Sequence, residues 1–329
     1  MNNIAAVVVT YNRLTLLKEC IASLKGQSHG LSSIIVVNNG STDGTLEWLE
    51  AQNDILLITQ ENLGGAAGFY RGIKDAYAKG YDWVWVMDDD AFPQEDCLEK
   101  LLLASQSVKG DKVVLAPVIV EGNKIDSLHR GFINFKKVQY PLQDPVDEAN
   151  FNSNENPLEI SFASFIGMFI SKKVIENSGY PRPDYFIFHD DVEYSIRITK
   201  AENSIYLVKD AVIYHKVKSE LAIKNYTSDQ KKEPKNNTFS EKLRYRKNKY
   251  AELNKGTLFK FIGKRNWIRT SIIHNGFSFG LLVYLIKDYS ANLSYVFLSK
   301  SHKLKLFKVF NQVYYQGLTG KFNNKKILI

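Results

Sequence analysis

The chain opens on an apolar run, Ile4–Thr10, and continues at Leu14–Leu24 with apolar residues at helical spacing and Arg13, Lys18 and Glu19 on the polar side. A β-branched run too short for a helix predicts a strand, and the three-to-four-residue recurrence predicts a helix. The rhythm repeats: strand Ile34–Val37, a helix capped by Ser41 or Asp43 and running to about Gln52, strand Ile55–Thr59, helix Ala66–Lys79, strand Trp83–Met87, helix Leu98–Ser107 and strand Val113–Val118. Strands alternating with helices in this way predict an α/β fold, a mostly parallel central sheet with helices on both faces. In such sheets ligands bind at the carboxyl ends of the strands.

Beyond Val118 the pattern changes. From about Asp126 to Pro157 it weakens into a polar stretch that reads as an irregular insertion or acceptor-side loop. Ser161–Ser171 is apolar again, and Ile205–Tyr214 reads as a late strand ending at His215. Residues 218–240 are polar and poor in apolar side chains, the composition of a linker or mobile loop. Residues 241–321 are rich in Lys, Tyr, Phe and Leu at roughly helical spacing, so the expected division is 1–217, 218–240 and a basic, mainly helical 241–329. The most apolar window there, Phe277–Ile286, is about ten residues long and too short to span a bilayer.

Charge sharpens that division. Residues 1–217 carry 20 Lys/Arg against 29 Asp/Glu, whereas residues 218–329 carry 23 against 6, within an overall net charge of +8. A basic C-terminal third facing an acidic domain predicts an anionic surface or partner for that third. The two cysteines, Cys20 and Cys97, form neither a metal spacing nor a disulfide framework, which fits a reducing compartment. The first strand begins almost at Met1 with no basic or cleavable leader, so a cytoplasmic location is expected.

The candidate chemistry gathers at the predicted strand ends. Asp88, Asp89 and Asp90 close the run Trp83–Met87, and three acids so placed repel one another unless a cation sits among them. Oxygen ligands of this kind suit Mg²⁺ or Mn²⁺ alongside substrate phosphates, with a solvated acidic turn as the alternative. Thr10–Tyr11–Asn12–Arg13 suits a nucleotide base and its phosphate, or a helix cap. Asn38 and Asn39 offer the donor and acceptor that a pyrimidine edge needs, or a turn. Asn62, Gly64 and Gly65 open a helix carrying Arg71, where small residues permit close approach of an anion to the helix N-terminus or tight helix–sheet packing. His189, Asp190, Asp191 and Glu193 precede Arg197 at a predicted helix start, either as dipole-stabilising acids or with a general base among them. His215, at a strand end on the same sheet edge as the acidic triplet, is a candidate third metal ligand.

Taken in order, VVVTYNR, VVNNGSTDGT, NLGGAAGF, MDDDA, HDDVEYSIR and the late His215 resemble the family 2 glycosyltransferases, which have the GT-A fold. The resemblance covers residues 4–215. It implies an inverting, metal-dependent transferase in which Thr10, Tyr11, Asn12, Asn39 and Arg71 hold the nucleotide. Arg13, Asn38, Asn62, Gly64, Gly65 and Asp89 are expected beside them. Asp90 would bind Mn²⁺ or Mg²⁺, Asp88 metal or ribose, His215 would complete the metal shell, and Asp191 would be the base. Of the three acids, Asp89 is expected to matter least. Phe165, Gly167, His189, Asp190 and Glu193 are expected on the acceptor or donor-sugar side. Many relatives carry Asp where this chain has Asn38 or Asn39, which alters the charge of the pyrimidine contact.

NLGGAAGF together with MDDDA looks most like bacterial galactofuranosyltransferases, which use UDP-galactofuranose. Rhamnosyltransferases using dTDP-rhamnose share most other motifs, including the C-terminal pattern Gly317–Phe322. The implied acceptor is a lipid-linked glycan of a bacterial surface polysaccharide. The implied place is the inner face of the cell membrane, bound peripherally through the basic C-terminal third. That third also offers a surface for a homo-oligomer. A non-catalytic sugar-nucleotide-binding scaffold is the alternative from another class. No nucleic-acid-binding motif is present, so nucleic acid is not expected as a partner.

Overall fold

The computed structural model describes residues 3–122, 124–138, 141–216, 255–298 and 302–328. These belong to two compact units. One contains residues 1–134, 143–186 and 190–216, and the other residues 135–142, 187–189 and 217–329. The sequence segment 218–240, read as a linker, lies outside the described residues.

The first unit begins with β1 (Ile4–Thr10), α1 (Leu14–Lys25), β2 (Ser33–Asn38), α2 (Thr45–Glu50), β3 (Ile55–Thr59), α3 (Gly65–Ala78) and β4 (Trp83–Asp88). These strands pair in parallel in the order β4-β1-β2-β3. Every residue of β1 is buried, and the two-residue alternation of a strand sends its side chains to both faces. Ile4, Ala6 and Val8 pack with Leu17, Ile21 and Leu24 of α1. Ala5, Val7 and Val9 pack with Phe69 and Ile73 of α3. Continuous apolar runs arise because both faces of the sheet are covered.

The unit continues with β5 (Ala91–Pro93), α4 (Cys97–Ser107), β6 (Val113–Glu121), β7 (Lys124–Ile125), β8 (Arg130–Ile133), β9 (Gln143–Pro145), α5 (Glu148–Phe151), β10 (Leu158–Ile160), β11 (Phe162–Ala163), β12 (Met168–Ser171), α6 (Lys172–Ser178), α7 (Asp190–Lys200) and β13 (Ser204–His215). The sheet extends as β10-β13-β6-β12-β4-β1-β2-β3, with β12 antiparallel to both neighbours and β13 parallel to β6. The stretch 126–157, expected to be irregular, instead contributes β8 and β9 to a small antiparallel sheet with β11. Its strands are short and its polar side chains are consumed locally: Asn134 Nδ2 donates to Asp144 and Ser161 Oγ accepts from Ile133 N–H. Hydrophobic periodicity does not register such strands.

The expected caps divide. At the start of α2, whose N-cap residue is Gly44 at φ +85°, Asp43 Oδ1 accepts from the N–H and hydroxyl of Thr45, as expected of a capping acid, whereas Ser41 turns to the preceding loop. Both brace the neighbouring loop: Ser41 Oγ accepts from Asn12 N–H and Asp43 Oδ2 from Leu14 N–H. By contrast, α1 has Arg13 at its N-cap position, without a side-chain cap.

In the second unit, α8 (Lys255–Asn275), α9 (Phe279–Leu298) and α10 (Lys303–Thr319) supply the mainly helical character expected of the C-terminal region. Phe261, Ile262, Trp267 and Ile268 of α8 are buried, as are Val309, Phe310 and Val313 of α10. Phe261 meets Phe310 edge-on at 4.7 Å. Gly317 lets α8 and α10 close up, because a Cβ there would stand 2.9 Å from Ile268 Cβ. Buried Arg265 bonds Asn266, Gln316 and Asn324 and lies 4.0 Å from the Phe322 ring. The Gly317–Phe322 pattern therefore has a packing role. Among the described residues no helix is long and apolar enough to cross a membrane.

Gly64, at φ +88°, sits where a Cβ would lie 2.2 Å from the Phe186 carbonyl oxygen. Gly80 has a similar φ of +84° but open space around it. Gly80→Ala should cost about 1–2 kcal/mol, the left-handed penalty alone. Gly64→Ala should cost clearly more, because the backbone must also move; comparative thermal melts check this ordering.

Candidate functional site

The parallel strands β1 and β4 bring the Thr10–Arg13 turn beside the acidic triplet. Thr10 Oγ1 donates to Asp89 Oδ2 at 2.7 Å, and Arg13 reaches Asp89 Oδ1 at 3.0 Å and Asp90 Oδ2 at 2.5 Å. Asp89 is thus the buried anchor of the group, a role that the sequence does not reveal. Burial pushes the Asp89 carboxyl up to about 6, against the opposing pull of Arg13 and Thr10. Burial, then the charges of Asp90 and Asp89, also raise Asp88. Asp88 is half-buried, and among the described residues no side chain donates to it.

β13 delivers His215 to the same place. It pairs antiparallel with β5, setting His215 opposite Ala91, and parallel with β6, setting Tyr214 opposite Val120. His215 therefore falls between Asp90 and Glu121. Its Nε2 is 3.3 Å from Asp90 Oδ1, and its Nδ1 is 2.8 Å from Glu121 Oε1. The Asp90 contact is an ion-pair distance without hydrogen-bond alignment, because buried Asp90 Oδ1 has no hydrogen-bond partner. Despite burial, which acts upward, His215 and Arg13 hold Asp90 below the usual carboxylate range. Burial acts downward on His215, yet Asp90 and Glu121 raise it.

Sequence reasoning missed three residues on this edge: Glu121, Asp126 and His129. His129 stacks edge-on against His215 at 5.6 Å, with Nδ1 3.1 Å from Ser164 Oγ and Nε2 3.3 Å from Asp126. Ligand atoms of Glu121, His129 and His215 all lie within 4.8 Å of one another. Asp126 and His129 occur in the segment read as irregular, and Glu121 lies beyond the expected end of its strand.

An orphaned buried oxygen of Asp90 and the His215 imidazole nitrogen 3.3 Å from it are donor chemistry that suits a hard divalent cation, and Asp88, to which no side chain donates among the described residues, closes the adjoining strand β4.

The remaining candidates divide. Asn39 is buried, with Nδ2 on Gly64 O and Oδ1 accepting from Gln60, while Asn38 Oδ1 accepts from Ser41 N–H and its Nδ2 lacks a partner among the described residues. Asn12, at φ +53°, accepts from Thr42 N–H, and Tyr11 is exposed. Asn62 Oδ1 accepts from Gly64 N–H, and Gly65 faces open space at the start of α3. The small residues also serve packing: Gly68 and Gly72 press on Val9 and Val7. Arg71 pairs with Asp75 on an exposed face of α3 and makes no contact with the acids among the described residues. Phe165 is core, 4.6 Å from Phe69, and Gly167 O accepts from Trp85 Nε1. Glu193 is buried in a bidentate pair with Arg197, which also holds the carbonyls of Ser178 and Tyr180.

Asp190 and Asp191 open α7. Asp191 is half-buried, its Oδ1 accepting from Val192 N–H. Burial raises both carboxyls, and the charge of Asp191 raises Asp190 further. The Val192 N–H, His129 and buried Arg130 pull Asp191 back down. Arg130 itself is spent on the carbonyls of Pro117, His129 and Ile166. In the second unit, burial depresses the His189 imidazole to about 3, leaving it neutral.

Residues 5–177 match the model of glycosyl transferase family 2. A 223-residue stretch is 29% identical to galactofuranosyltransferase GlfT1 of Mycobacterium tuberculosis (strain CDC 1551 / Oshkosh), covering 65% of this chain and 70% of that one. Glycosyltransferase GlyG of Streptococcus pneumoniae is 32% identical over 115 residues, 34% of this chain and 38% of its own. Among solved structures, GalNAc-T7 with UDP, GalNAc and Mn²⁺ aligns over 98% of this chain with a TM-score of 0.60 at 14% identity. The chain spans 58% of that structure's length. S. aureus TarS 1-349 in complex with UDP aligns over 99% of this chain and 90% of its own, TM-score 0.51, 15% identity. At these identities the likeness shows the GT-A fold.

Asp190 gives a test of site electrostatics. Its carboxyl is raised, so its favourable contribution is full below the ordinary carboxylate pKa and is lost as pH rises through the folded value. Asp190→Asn should therefore gain in Tm relative to the parent as pH increases from 5 to 9, and a pH series of melts measures the gain.

Proposed function

The chain belongs to glycosyl transferase family 2, and we propose that it transfers galactofuranose from UDP-galactofuranose to a hydroxyl of a lipid-linked glycan with inversion. Likeness to a galactofuranosyltransferase supports the donor sugar. The observation that carries metal dependence is the orphaned Asp90 Oδ1 facing His215 Nε2, with a half-buried Asp88 that no side chain bonds among the described residues. On this reading Asp88, Asp90 and His215 hold Mn²⁺ or Mg²⁺, whose charge, when bound, offsets that of the departing diphosphate.

Asp191 is the base. Its raised pKa improves its basicity, and its half-buried carboxylate can receive the acceptor proton. The acceptor oxygen forms a bond to the anomeric carbon while the bond to the diphosphate breaks. The electron pair leaves with UDP and the proton passes to Asp191. One such displacement inverts the anomeric configuration. Thr10 and Arg13 act through Asp89, keeping the acids in register.

In the second unit, exposed apolar side chains support contact with a membrane surface. Phe279, Leu282 and Ile286 recur along one side of α9, and Leu304 and Phe307 accompany Lys303 and Lys308 on α10. Phe279 and Leu304 are 80% and 79% exposed.

Asp191→Asn should lower the transfer rate by about 10²–10⁴ while preserving UDP binding with Mn²⁺. Asp90→Ala should abolish the Mn²⁺-dependent thermal shift by UDP. Full transfer by both variants would refute the mechanism, and a larger shift with dTDP than UDP would refute the donor. Anionic phospholipid vesicles should carry the protein upward in flotation at low salt and release it at high salt; equal recovery with neutral vesicles would exclude the electrostatic contact.

A further inference from the structure

Three strand ends meet at His215. β5 is preceded by Asp90 on one side, β6 ends in Glu121 on the other, and β13 ends in His215 between them. Each imidazole nitrogen therefore faces its own carboxylate, Nδ1 at 2.8 Å from Glu121 and Nε2 at 3.3 Å from Asp90. The two carboxylates are not equivalent. Glu121 makes the shorter contact, and Arg13 draws Asp90 from the opposite side through its other oxygen.

We propose that Glu121 is a positioning residue for the divalent cation of the candidate site: it holds the proton on His215 Nδ1 and so presents the bare Nε2 lone pair toward Asp90. The inference rests on the glycosyltransferase reading and its Asp88–Asp90–His215 cation site. An imidazole binds a cation through one nitrogen only when the other carries the proton, and a carboxylate on that second nitrogen fixes both tautomer and ring plane. His129 completes the setting. Its ring stacks edge-on against His215, while Asp126 and Ser164 occupy both of its own nitrogens. That occupation favours His129 as a wall for the ring over His129 as a ligand, although one of its nitrogens lies within 4.8 Å of ligand atoms of Glu121 and His215.

The experiment is Mn²⁺ titration of the full chain at saturating UDP, read by electron paramagnetic resonance of free Mn²⁺, for the parent, Glu121→Gln, Glu121→Ala and His215→Ala. The parent should bind one Mn²⁺ per chain, Glu121→Ala should bind it 10–100-fold more weakly, and Glu121→Gln should lie between them. His215→Ala should bind still more weakly. In the Mg²⁺–UDP complex, ¹⁵N spectra of histidine should show His215 protonated at Nδ1, with that signature blurred in Glu121→Gln. Melting temperatures identify any variant that has lost its fold, and the glutamine variant then decides. Parental affinity in both Glu121 variants would overturn the proposal while leaving the cation site standing. Two Mn²⁺ per parent chain and one in Glu121→Ala would make Glu121 a ligand of a separate site, which also overturns it. A parent that binds no Mn²⁺ with UDP would overturn the cation reading and this inference together.

Discussion

The first unit is organised around negative charge concentrated at the carboxyl edge of a buried sheet. Asp88, Asp89 and Asp90 follow one another at the end of β4, and the interior beneath them is apolar on both faces. Like charges this close in a poorly solvated place raise one another's pKa. What offsets them comes from other strand ends: Thr10 and Arg13 after β1, and His215 after β13. The compensation is uneven. Asp89 is hydrogen-bonded on both oxygens and Asp90 on one, while Asp88 has no donor among the described residues. Bonded acids hold the edge together, and the unbonded oxygens remain available to a cation. An acidic edge left incompletely satisfied is a common compromise of stability for function.

Much of this was legible in the sequence because it depends on period and position. Apolar runs of four to seven residues alternating with helical stretches encode the parallel core β4-β1-β2-β3, and an acid or His at the end of such a run falls on the ligand edge. The helix start at Asp190 and the strand end at His215 were equally readable. Glu121 and His129 were not. Glu121 meets His215 only through the β6–β13 register, which an intervening shift between Val208 and Val212 helps to set. His129 ends a short 3-10 turn, Ser127–His129, that leads into a small sheet with strands of two to four residues, below the length at which alternation is recognisable. The caps were legible in part. Asp43 divides its oxygens, Oδ1 accepting from Thr45 at the start of α2 and Oδ2 from Leu14 N–H, while Ser41 Oγ is claimed by Asn12 N–H.

Arg13 and Arg71 show how residue type and partner separate. Both were read as anion-binding, and both are paired in the structure, Arg13 with Asp89 and Asp90 and Arg71 with Asp75. An Arg spanning two acids is already engaged, so phosphate contact through it must compete with those bonds. An exposed pair four residues apart on a helix is weak and yields readily. Of the two, Arg71 is therefore freer to exchange its partner for a nucleotide phosphate, and Arg13 belongs to the framework that keeps the acids in place.

The segment leading into Asp190 and Asp191 is held by more than local preference. Phe186, Phe188 and His189 all have positive φ, at 66°, 63° and 68°, a conformation costing a non-glycine residue about 1–2 kcal/mol. Three such residues within four positions persist only where surrounding bonds over-determine them. Within the first unit, the Phe186 carbonyl accepts from Ala66 N–H, and Gly64 has no Cβ to obstruct it. Within the second, Asn266 Nδ2 donates to the carbonyls of both Ile187 and Phe188, and Arg265 fixes the Asn266 oxygen. A buried Arg–Asn pair spent on backbone carbonyls is costly to desolvate, so its return lies in fixing a conformation. Within the second unit the conformation so fixed is that of Ile187 and Phe188.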